Sequence, residues 1–103
     1  MVIMSRFKTA EARYDLIVEK VCDTYGVTYG EYISTFKYRP LPEVRQLVCF
    51  ALSRFGLKNG EICELTGYTP GRVNYNLEAA NKVAEALPYF LYKVNAVLKL
   101  LSV

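Results

Sequence analysis

Apolar residues return at steps of three and four along most of this chain, and glycine or proline stands wherever the pattern lapses. Tyr14, Ile17, Val18, Val21, Cys22 and Tyr25 form one stripe, ended by Gly26. Leu41, Val44, Leu47, Val48, Ala51, Leu52 and Phe55 form a second, closed by Gly56. A third runs through Val73, Leu77, Ala80, Ala84 and Leu87 to Pro88. Such spacing gathers apolar side chains on one face of an α-helix, whereas a half-buried strand alternates at two. No stretch here alternates at two over a useful length, so the expected fold is all-α.

Shorter elements fit between the stripes. Glu31 follows Thr28 by three residues, the capping-box spacing, and predicts a short helix through about Ser34. "TFKYRPLP" (35–42) contains Pro40 and Pro42 and reads as a loop. A brief helix over about 60–65, with Asn59 as a possible cap, ends at Gly67; Thr69 then suits a cap and Pro70 the first helical position. Pro88 is expected to end the fifth helix and start a sixth. The reading is a compact bundle of about six helices forming a single domain over 1–103, with Thr9 as the first cap and residues 1–8 a flexible or fraying N-terminus.

Composition removes several functions. The 103 residues, 52% apolar and 22% charged, have the profile of one globular domain. The chain has no histidine, which removes the commonest general base and the commonest metal ligand. Cys22, Cys49 and Cys63 are widely spaced with no CxxC pair, and read as buried reduced thiols of a cytoplasmic protein. Glu11, Asp15, Glu19 and Asp23 recur at four and read as a solvated helix face, not paired catalytic carboxylates. "MVIM" is too short for a signal peptide, and no apolar run approaches the ~20 residues of a membrane span. No enzyme, metal or cofactor is expected.

What remains is the stretch "LTGYTPGRVNYN" (65–76), a helix end, a glycine turn and a helix start. Two helices joined this way form a helix-turn-helix, whose second helix enters the major groove of duplex DNA with its N-terminal residues on base edges. With Val73 inward, Gly71 and Tyr75 lie nearly opposite it, flanked by Arg72 and Asn74. Arg72 suits guanine and Asn74 adenine, and Gly71 keeps the helix close to the groove. Thr69 and the free N–H groups beside it offer a phosphate seat, and Lys82 is placed for a neighbouring phosphate. An ordinary helical hairpin with a solvated arginine fits the same residues, so the turn does not decide by itself.

A second element favours DNA. Between residues 37 and 58 stand five cations, Lys37, Arg39, Arg45, Arg54 and Lys58, against one acid, Glu43. Within a net charge of only +3, this is a localised footprint of the kind a phosphate backbone requires. Lys37 on its loop is also placed to enter a narrow, A·T-rich minor groove. The expected nucleic-acid-binding set is thus Lys37, Arg39, Arg45, Lys58, Asn59, Thr69, Gly71, Arg72, Asn74, Tyr75 and Lys82.

In order along the chain, "VCDTYGV", "KYRPLPEVRQ", "LVCFALSRFG", "GEICELTG" and "YTPGRVNYN" resemble the C-terminal DNA-binding domain of the bacterial replication initiator DnaA, of the Trp-repressor-like superfamily, over about nine-tenths of the chain. The resemblance implies that Lys37 stands where the family has a minor-groove arginine. It also implies that Arg45, before Gln46, stands where another arginine contacts DNA. At the reader's start the family carries Asp-His-Thr-Thr, and this chain has Thr69-Pro70-Gly71-Arg72. The docking mode is therefore expected to persist while the recognised bases differ. No G-x-x-x-x-G-K-[ST] loop is present, so neither a nucleotide switch nor an ATPase is expected. The expected role is a stand-alone regulator or accessory replication factor, cytoplasmic, and nucleoid-associated if it binds DNA.

The rival reading is a protein-interaction module. "YFLYKVNAVLKLLSV" (89–103) is apolar on more than one face. Its Phe90, Leu91, Val94, Val97, Leu98 and Leu101 either complete the core or form a homodimer or partner surface.

Overall fold

In the computed structural model, residues 2–86 together with 92, 93, 95, 96 and 99 are described, with side chains from Glu11 onward. The described chain is all-helical: α1 Val2–Tyr25, α2 Tyr29–Ile33, α3 Leu41–Arg54, α4 Asn59–Thr66 and α5 Pro70–Ala86. Of the expected sixth helix only residues 92, 93, 95, 96 and 99 are described, and these are helical; Phe90, Leu91, Val94, Val97, Leu98 and Leu101 lie outside the described residues. Nearby, the Lys93 ammonium sits 4.3 Å from the centroid of the Tyr25 ring, at the C-terminal end of α1.

α3 is the centre of the bundle and packs against each of the other four helices. The sequence predicted one buried face, and Leu41, Val44, Leu47, Val48, Ala51 and Leu52 are indeed buried. Cys49, Phe50 and Arg45 are buried as well, because neighbours cover α3 on more than one side. Facing it, α1 contributes Ile17, Val18, Val21 and Cys22, and α5 contributes Val73, Ala80 and Ala84. The small alanines let α5 lie close to α3. Asn76, also inward on α5, donates to the Cys49 sulfur at 3.7 Å. Burial pushes the Cys49 thiol up to about 11, so it stays protonated and inert at neutral pH.

The boundaries follow local chemistry. Gly67 ends α4 with φ 77° and its N–H bonded to the Cys63 carbonyl at 2.8 Å, a left-handed cap that glycine adopts without steric cost. One expectation is corrected at the N-terminus. α1 begins at Val2, so Thr9 lies inside the helix instead of capping it. The preceding residues 2–8 hold neither glycine nor proline, and nothing in them stops the helix.

Candidate nucleic-acid interface

The segment expected to form a helix-turn-helix comprises α4, a three-residue turn Gly67-Tyr68-Thr69, and α5. The Arg72 backbone N–H donates to the Thr69 hydroxyl at 3.2 Å, satisfying one of the four donors left open at a helix start. Asn59 does not cap α4 as expected. It is the first residue of that helix, and its side-chain amide donates to the Asn74 carbonyl oxygen at 2.8 Å. The bond ties the two helices of the motif together. The tie occupies one lone pair of the Asn74 Oδ1 and leaves its second lone pair and its NH2 for an adenine edge.

Around the turn, the expected contact residues face solvent. Gly71, Arg72, Asn74, Tyr75 and Lys82 are all exposed on α5, and Tyr75, at 66% exposure, is among the most exposed aromatic rings. A Cβ on Gly71 meets nothing within 4 Å, so glycine is not required there by packing. The Arg72 guanidinium lies over the Tyr68 ring, 4.0 Å from its centroid. That contact holds the guanidinium against the turn.

The basic loop is organised by a residue expected on its surface. Arg45 is only 5% exposed. Its Nε donates to the Tyr32 carbonyl at 3.2 Å and its Nη1 to the Phe36 carbonyl at 2.7 Å. Its Nη2 donates to the carbonyls of Glu31 at 3.3 Å and Ser34 at 2.8 Å. The expectation that Arg45 touches DNA is therefore corrected: four of its five N–H groups are spent on backbone carbonyls of α2 and the loop that follows it. The same segment is pinned by Glu31, which accepts from the Thr28 N–H at 2.9 Å and from the Tyr38 hydroxyl at 2.9 Å. The Thr28 N–H, followed by the Tyr38 hydroxyl, holds the Glu31 carboxyl below its usual range.

Of the remaining loop cations, Arg39 is 85% exposed but forms two hydrogen bonds to Glu43, at 3.1 and 3.2 Å, which offset its charge. Lys37 is exposed. It lines a cleft of about 810 Å³ that Arg72, Tyr75 and Asn76 of α5 line from the opposite side. Among the described residues no aspartate or glutamate lines this cleft. Lys58 and Asn59, at the start of α4, are exposed but lie outside it.

Sequence reasoning did not find the cleft's inner wall, which is made of tyrosines. Tyr14 of α1 and Tyr32 of α2 share a hydrogen bond of 3.2 Å between their hydroxyls, and Tyr68 from the turn lines the same space. Burial raises all three phenols above their ordinary value, so they remain neutral hydrogen-bonding groups. The available signal was compositional: nine tyrosines in a chain with neither tryptophan nor histidine. Comparison of the chain with protein-family models, with curated proteins and with solved structures gave no match.

Proposed function

We propose that this protein is a sequence-preferring reader of duplex DNA, with the start of α5 in the major groove and the Lys37 loop at the adjacent minor groove. The observation that carries the reading is the shared cleft. Lys37, from a loop some 35 residues upstream, and Arg72, near the start of α5, border one concavity with no acid among its described lining residues. The resemblance to the DnaA DNA-binding domain points the same way, since that family docks with this pair of elements. Arg72 and Tyr75 are the base-reading residues, Lys37 the minor-groove cation, and Thr69, Lys58 and Lys82 phosphate contacts. Arg45 acts indirectly, by fixing the loop that presents Lys37. The proposed role is that of a regulator or accessory factor.

Selection from random duplexes followed by variant binding tests the assignment. On the selected site, Arg72→Ala is expected to lose about 1–3 kcal/mol of discrimination at one base pair. Lys37→Ala is expected to weaken A·T-rich flanks most. Equal losses on every sequence for both variants would reduce them to phosphate contacts and remove the sequence-reading part of the proposal.

A partner-binding reading is favoured by a different surface. Tyr29, Ile33, Phe36 and Tyr38 are exposed on α2 and its loop, with the Phe36 and Tyr38 rings 5.5 Å apart. Of these, Ile33 also lines the cleft, whereas Tyr29, Phe36 and Tyr38 do not. Loss of duplex binding combined with a defined oligomer in light scattering would support this reading instead.

A further inference from the structure

We infer that the cleft between the Lys37 loop and α5 is a binding site for a single nucleotide unit, a planar base joined to a phosphate, independently of any duplex at the outer surface. Three properties of the cleft point to that chemistry. Its volume of about 810 Å³ suits a small molecule or one extruded or single-stranded nucleotide, in the ~300–1,000 Å³ range of small-ligand sites. A duplex is far too wide to enter it.

Charge supplies the second property. Lys37, Arg45 and Arg72 all border the cleft, and no described carboxylate lies among its walls. The Arg45 guanidinium spends four of its five N–H groups on carbonyls, so it adds mainly its field to the site. Lys37 and the edge of Arg72 remain as the phosphate-binding donors.

The third property is the planar surface. Tyr75 stands exposed at the rim, and the Arg72 plane, backed by Tyr68, offers a second flat face. Bases stack on tyrosine rings and on guanidinium planes without regard to sequence. Deeper in, the Tyr14 and Tyr32 hydroxyls and the neighbouring Gln46 and Asn76 side chains provide donors and acceptors for a base edge. A nucleotide therefore finds a cation for its phosphate, a flat surface for its base and a polar wall for its base edge.

The chemistry has two sources, a free mononucleotide or one nucleotide of a strand. The experiment is a titration of the full chain, followed by amide chemical shifts, with adenosine monophosphate, adenosine, inorganic phosphate, a short oligothymidylate and a duplex. Adenosine monophosphate is expected to shift Lys37, Tyr68, Arg72 and Tyr75. Adenosine alone and phosphate alone are expected to bind about tenfold more weakly. Lys37→Ala and Tyr75→Ala should each weaken the mononucleotide about tenfold with the fold unchanged, because both side chains are exposed. Much tighter, competitive binding of the oligothymidylate assigns the site to a nucleotide within a strand, and equal binding per site assigns it to the free nucleotide.

The inference is overturned if adenosine monophosphate leaves these four residues unshifted, if phosphate alone binds as tightly, or if Lys37→Ala has no effect. Duplex binding with no mononucleotide or single-strand binding would remove this inference and leave the duplex reading standing. The reverse pattern would do the opposite.

Discussion

Substituting Arg45 separates two roles that a cation near a basic loop can have. As a surface contact it would be removed at no cost to the fold. Buried and donating to four carbonyls, it is part of the fold. Arg45→Ala removes the donor from the Tyr32, Ser34 and Phe36 carbonyls, while that of Glu31 keeps the Ser34 N–H and hydroxyl. The loss is expected to cost about 3–4 kcal/mol in urea denaturation. Arg45→Lys is expected to recover only part of this, since an ammonium has no planar fork to span the carbonyls of residues 31–36. Unchanged stability for Arg45→Ala would return the residue to the surface. The sequence placed this arginine correctly on α3 but could not show which way it faces. An arginine four residues before Cys49 occupies an inward position on a helix buried on several sides, and only the neighbours of that helix reveal the fact.

At the level of elements, the two glycines flanking the turn have opposite demands. Gly67 has φ 77°, so Gly67→Ala strains the backbone and is expected to cost about 1 kcal/mol. Gly71 lies inside α5 with open space around it, and Gly71→Ala is expected to stabilise the fold by up to about 0.5–1 kcal/mol. The same added methyl group, on the face beside Arg72 and Tyr75, is expected to weaken duplex binding. Thermal melts and binding isotherms of the two variants check this crossed pattern, and parallel changes in stability and affinity for Gly71→Ala would argue against the approach of α5 to DNA. These elements were legible in the sequence because each rests on local chemistry: the Thr28–Glu31 capping box, Pro70 at the first position of α5, Gly67 after α4. The role of Asn59 was not, since its partner Asn74 is fifteen residues away and only the docking of α4 on α5 brings them together.

For the whole molecule, the tyrosine wall joins three elements that are distant in sequence: α1, α2 and the turn. Tyr14, Tyr32 and Tyr68 have their phenols raised by burial above the ordinary value of about 10. A group whose folded value is raised favours the native state below its unfolded value and loses that contribution as pH climbs toward the folded one. Stability is therefore expected to be insensitive to these groups up to about pH 10 and to fall above it. Tyrosinate absorbance should show part of the nine tyrosines ionising only as the chain unfolds. Complete ionisation near pH 10 with the fold intact would mean the wall is open to water. The all-α architecture was readable from apolar spacing alone, but the cleft was not, because its lining comes from side chains on five separate segments. The central claim is that Lys37 and the tip of α5 act together on one phosphate-bearing partner, and salt dependence tests it most directly. With Arg45 buried and Arg39 offset by Glu43, the exposed cations Lys37, Lys58, Arg72 and Lys82 set the expected response. Anisotropy of a labelled duplex should give a log–log slope of affinity against salt of about −3 to −4, reduced by about 1 in Lys37→Ala and in Arg72→Ala. A flat slope, or one that neither substitution changes, would contradict the account.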